Sequence, residues 1–139
     1  MNVKRWALAT VGAFAVLFTT GFVIHHVWLG EFYKAHSAWW RPETDMQSML
    51  PVMFAAQLAL AALLSAVYAR GYEPNKGGVG QGVRFGVLLG LLLTLPCSLM
   101  NHVIYPYPMS LIVSWLIGGL AEITVAGGVI GAIYQTPRS

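Results

Sequence analysis

Four long stretches of this chain carry almost no charge, and any fold must find surroundings that tolerate them. They cover about residues 6–29, 49–68, 83–105 and 109–134. Each reaches the roughly 20 apolar residues that a helix needs to cross some 30 Å of hydrocarbon. In lipid each must be a helix, because an open strand would leave backbone groups unpaired. Composition agrees: 57% of the residues are hydrophobic and 9% charged, against about 25% charged in soluble domains. At 139 residues there is room for one domain. The expectation is an all-α, integral membrane four-helix bundle, with residues 1–139 forming a single transmembrane domain.

The basic residues give an orientation. Lys4, Arg5, Arg70, Lys76, Arg84 and Arg138 fall on one side of the four spans, and Lys34 and Arg41 on the other. Both termini are therefore expected in the cytoplasm, with loop 30–48 and the turn Tyr105-Pro-Tyr-Pro108 outside. The first span follows Lys4-Arg5 and is too long for a cleaved signal, so it is expected to stay as an anchor. The net charge of +3 is an orientation signal, not a nucleic-acid footprint. A single cysteine, Cys97, allows no internal disulfide.

Loop 30–48 holds Phe32, Tyr33, Trp39 and Trp40, the residue types of an interfacial belt. It is expected to lie on the outer surface as an amphipathic anchor; the alternative is a lid over the bundle. His36 in this loop is expected to be solvated. The inner loop 71–82 reads as a turn, and its Gly78-x-Gly80-x-Gly82 follows a span rather than a strand, so it is no dinucleotide fingerprint.

Helices in lipid associate through small residues that let backbones approach. Gly86-x-x-x-Gly90, Gly127-x-x-x-Gly131 and the stripe Ala55, Ala59, Ala62 and Ala66 supply them. These faces serve packing within one bundle, with a homo-oligomer or a larger membrane complex as the alternative use.

Ionisable groups inside a span are costly and usually face the interior. Glu122 is the one carboxylate within a span. It is either a neutral group hydrogen-bonded to a neighbouring helix or a proton- or ligand-handling group. Gln57, Ser114, Asn101, His102, His25 and His26 are placed in the outer half of the bundle, with Glu122 close to mid-depth. Helical spacing sets Thr94, Ser98, Asn101 and Tyr105 on one face, Ser114, Gly118 and Glu122 on a second, and Gly12, Thr19 and His26 on a third. Turning these faces inward makes one polar cluster. Paired histidines on different spans also permit haem ligation. His26, His102, Cys97 and Met100 are candidates for a soft metal. No spacing motif supports either cofactor, and none is assigned. No serine elbow, paired carboxylate or His-Glu-x-x-His is present, so an enzyme is not expected. Ile24-His-His-Val27 faintly echoes Met100-Asn-His-Val103, as a duplicated hairpin would.

The run Ala69-Arg-Gly-Tyr-Glu73, then Lys76-Gly-Gly, then Gly82-Val-Arg-Phe-Gly86 resembles a group of small bacterial inner-membrane proteins of unknown function. The exit Pro96 to Pro108 and Trp115-x-x-Gly118-Gly119-x-x-Glu122 are similar to that group as well, so the resemblance covers about 66–134. It implies a bacterial four-helix membrane protein and carries over no substrate, cofactor or catalytic residue. The functions expected are an accessory or scaffold subunit, or else a small carrier using Glu122 and the outer histidines, or a haem- or copper-binding redox component.

Overall fold

A computed structural model describes residues 1–76 and 78–135; Gly77 of the glycine-rich loop and Arg138 of the charge count lie outside the described residues. The described chain is helical, without strands. Helix α1, Val3–Phe22, runs on through a wide π turn at Val23–Trp28. Two short helices, α2 (Gly30–Ala35) and α3 (Glu43–Ser48), flank a tight turn at Ser37–Trp39. Three long helices follow, α4 (Leu50–Arg70), α5 (Val79–Ile104) and α6 (Met109–Ile133). Among the described residues, Val3–Trp28, α4, α5 and α6 are the four helices long and apolar enough to cross a membrane. Their outer surfaces are strongly apolar; Val103 is 78% exposed. Patches of that size are a liability in water and ordinary against lipid.

The closest helix pair is α5 and α6. Gly82, Gly86 and Gly90 lie one above another on α5 and are all buried. They meet Gly127, Gly131 and the backbone of Ile123 and Thr124 on α6. A methyl group on Gly127 would sit 2.8 Å from the Gly86 Cα, and one on Gly86 would sit 2.7 Å from the Ile123 carbonyl oxygen. Only hydrogen fits between the two backbones. The expected pairs 86/90 and 127/131 thus pack within one chain, and Gly82 extends the contact by a turn. Gly82 reads as loop by composition, yet the helix already begins at Val79, behind Gly78 with its φ of +95°.

Helix α1 packs on the opposite side of α6 and on α4. Its buried residues are Ala9, Thr10, Ala13 and Leu17. On α4 the inward face is Ala61, Leu64, Ser65 and Tyr68. Ala55 and Ala59 of the expected small-residue stripe are exposed instead. Helix α4 touches α6 sparingly. The molecule is therefore tightest near its termini, where Ala61, Leu64 and Tyr68 join Ile123, Ala126, Ile130 and Tyr134 in one core. There the Trp6 indole donates to Ala62 O at 3.0 Å, the Asn2 N–H donates to the Tyr134 hydroxyl at 3.0 Å, and Arg5 donates to Gln135 O. At the far end, 50–56 on α4 are all exposed. There Phe54 is held to α1 by stacking on Phe18 at 5.2 Å.

Substitution at the glycine seam should separate α5 from α6. Gly127→Val is expected to cost about 1–3 kcal/mol, the range for forced overpacking, read as a lowered melting temperature in detergent. Gly80→Ala, which has nothing within 4 Å of a new methyl, should leave the melting temperature unchanged or raised.

Candidate binding site

The π turn carries both histidines of the first span. Its wide hydrogen bond, Leu29 N–H to Ile24 O at 2.9 Å, adds a residue to the turn and breaks the helical register there; such turns often mark functional positions. This changes which side chains face inward. Thr19 and His26 are exposed, whereas Thr20 and Gly21 face the neighbouring helices. The seven-residue repeat Gly12, Thr19, His26 therefore does not form an inward stripe.

Residues 30–48 fold over the end of the helices as a lid, rather than lying apart as an anchor. The Trp115 indole donates to the Tyr33 hydroxyl at 2.8 Å, and that hydroxyl shares a 2.9 Å hydrogen bond with His25 Nδ1. Since an indole can only donate, the Tyr33 proton is free to go to His25 Nδ1. Trp40 stacks at 5.4 Å on Tyr107, from the turn between α5 and α6, and lies edge-on to Trp115 at 6.3 Å. Trp39 reaches Tyr107 at 5.7 Å. His36 is half-buried, stacked on Phe32 at 4.2 Å, because the lid folds back on itself.

Between the lid and the π turn lies a half-open cavity of about 690 Å³, lined in part by His25, His26, Tyr33, Lys34, Trp40, Arg41, Glu43 and Trp115. Trp40 presents an indole N–H that is buried without an acceptor. An unmet buried donor is costly, and the missing group must be an acceptor. Lys34 is paired with Glu31 at 2.8 Å, which holds the Glu31 carboxyl below its usual range and Lys34 above. Burial pushes the Tyr33 phenol up, against the opposing hydrogen bond from Trp115.

The second polar centre is deeper. Glu122 stands two turns below Trp115 on α6, about 10 Å along the helix. With Gln57 it lines a groove of about 270 Å³ beside Met53, Ala56 and Leu60. Thr20 of α1 lies beside the Glu122 carboxyl. Thr20 was not among the candidates read from the sequence; its signal is the buried stripe Ala13, Leu17 that continues to it at helical spacing.

The remaining candidates stand apart from both centres. His102 is exposed on α5 and its Nδ1 donates to Tyr107 O at 3.3 Å. Asn101 is half-buried and contacts Cys97 Sγ at 3.8 Å. The Ser114 hydroxyl donates to Ser110 O at 2.8 Å. Tyr105 is exposed and Ser98 buried. The single polar cluster is thus divided into a capped cavity, a deeper recess and the end of α5. Cys97, Met100 and His102 are exposed on α5, while His26 lines the cavity. Among the described residues no three His, Cys, Asp or Glu side chains gather as a metal site. No family model, curated protein or solved structure matches the chain.

Tyr33 gives the lid a pH dependence. A phenol whose folded-state pKa is raised contributes no loss below its unfolded value near 10.0 and loses stability as pH rises from there toward the folded value. Protease cleavage within 30–48 should therefore accelerate above about pH 10 in the wild type. Tyr33→Phe should be cleaved faster at neutral pH, having lost both hydrogen bonds, and should show no alkaline step.

Proposed function

We propose that this chain is an integral membrane protein of the bacterial inner membrane, with both termini cytoplasmic, that binds an anionic amphiphile beneath its aromatic lid. It acts by binding, as a small carrier or holding unit, and not as an enzyme. The observation that carries this reading is the cavity with Arg41 at its wall, beside Trp40, whose buried indole N–H has no acceptor. Its walls are largely apolar and aromatic, which suits a molecule with a hydrocarbon body and a single charged end. The orientation rests on the asymmetry of Lys and Arg, and membership of the small bacterial group rests on the motifs of 66–134.

A role as an accessory subunit or oligomeric scaffold is compatible with ligand binding. Its support is the small-residue face of α4, where Ala55 and Ala59 are exposed. Small residues of this kind allow close approach of a second helix.

A fatty acid with a brominated tail tests the ligand reading, because bromine quenches nearby indoles. The acid should quench Trp40 and Trp115 saturably. Its methyl ester should bind about tenfold more weakly, as should the acid to Arg41→Gln, the loss of one charge-assisted hydrogen bond. Equal, unsaturable quenching by acid and ester would remove the capped cavity as a site.

A further inference from the structure

The recess at Glu122 has the opposite deficit from the capped cavity. Three oxygen-bearing side chains from three helices converge there: Glu122 on α6, Gln57 on α4 and Thr20 on α1. Gly21 makes room for them. Where its Cβ would stand, Glu122 Oε1 is 3.3 Å away and Gln57 Nε2 3.6 Å away. Gln57 Oε1 is buried and accepts no hydrogen bond. The Thr20 hydroxyl, which also reaches Val16 O at 2.8 Å, is in hydrogen-bonding contact with the Glu122 carboxyl. No Lys, Arg or His lines the groove. The Gln57 NH2 group and the Thr20 hydroxyl are donors at the recess, yet Gln57 Oε1 stays unmet, and a buried acceptor left unmet is costly. The groove is otherwise walled by Met53, Ala56 and Leu60, and Ala56 and Met53 are exposed on the outer surface of α4. It opens sideways because α4 and α6 barely touch.

We infer that this recess is a second binding site, entered laterally from the bilayer between α4 and α6, for a ligand that ends in a hydrogen-bond donor: a primary amine or a hydroxyl on a hydrocarbon chain. An ammonium brings three N–H donors and a hydroxyl brings one. An anion is disfavoured, since it would meet a carboxyl and an unpaired carbonyl with no cation nearby. The site is distinct from the capped cavity and does not depend on it.

Dicyclohexylcarbodiimide, an apolar reagent that adds to carboxyl groups from the lipid phase, tests both access and ligand class. The full chain in phosphatidylcholine nanodiscs is treated with it, and the labelled residue is mapped by mass spectrometry. Glu122 should be labelled, and a water-soluble carbodiimide should label loop carboxylates such as Glu43 instead. A long-chain primary amine or the matching alcohol should slow total Glu122 modification by about tenfold, the factor carried by one strong hydrogen bond. That total counts the N-acylurea together with any amide or ester formed by capture of the activated carboxyl and release of dicyclohexylurea. The quaternary trimethylammonium analogue, with charge but no donor, should not. Protection by the amine alone assigns a cationic ligand, and by the alcohol alone a neutral one; either supports the site. Gly21→Ala keeps every polar group but fills the recess, and should abolish protection. Trp40→Phe should leave protection intact, which separates this site from the one under the lid. Failure to label Glu122, equal protection by the quaternary salt, or undiminished protection in Gly21→Ala would overturn the inference.

Discussion

The backbone contact between α5 and α6 decides where the other helices can go. Helices this apolar gain little specificity from hydrophobicity alone, and in hydrocarbon they would gain no hydrophobic drive at all, so close contact at short range is what sets their pairing. Gly82, Gly86 and Gly90 against Gly127 and Gly131 give that contact over three turns. With one face of α6 committed to α5, α1 docks on another face through Ala9, Ala13 and Leu17. Helix α4 then rests mainly on α1. The result is closed near the termini and open at the lid end, and the opening is where polar groups collect.

The deeper site follows from that opening. The lid pairs Tyr33 with Trp115 and Trp40 with Tyr107, and its own residues, with His25, His26 and Trp115, wall the larger cavity. Two turns further in, the same separation of α4 from α6 leaves Glu122 and Gln57 facing a groove instead of each other. The two sites differ in what they lack. The cavity has Arg41 at its wall and the unmet Trp40 N–H beside it, whereas the recess has the Glu122 carboxyl and the unmet Gln57 carbonyl with no Lys, Arg or His lining it. Polar groups buried without partners are costly unless a ligand or water meets them.

Much of the helical framework was legible in the sequence, because apolar stretches of this length have few other solutions. The pairs 86/90 and 127/131 were legible for a related reason: glycine inside an apolar span has little use except close approach. Three things were not. Gly82 looked like loop because glycine-rich composition does not distinguish a turn from the start of a tightly packed helix. Thr19 and His26 were assigned inward by a seven-residue repeat, which drifts against 3.6 residues per turn and is broken further by the π turn at Val23–Trp28. Glu122 and Gln57 stand out in the sequence as polar groups within apolar stretches, but which neighbours they meet depends on helix order. Nothing in the sequence shows that α4 docks on α1 more than on α6. The closing of the lid was equally hidden, since aromatic residues suit a membrane interface and a stacked cluster alike.

Distances between α4 and α6 test the uneven separation most directly. Spin labels at Leu50 and Val113 report the lid end, and labels at Arg70 and Ala132 the end near the termini; all four positions are exposed. In lipid nanodiscs the Leu50–Val113 distance should be clearly the longer of the two. Equal distances at both ends would mean a parallel, closed bundle with no cleft, and the deeper site would lose its structural basis.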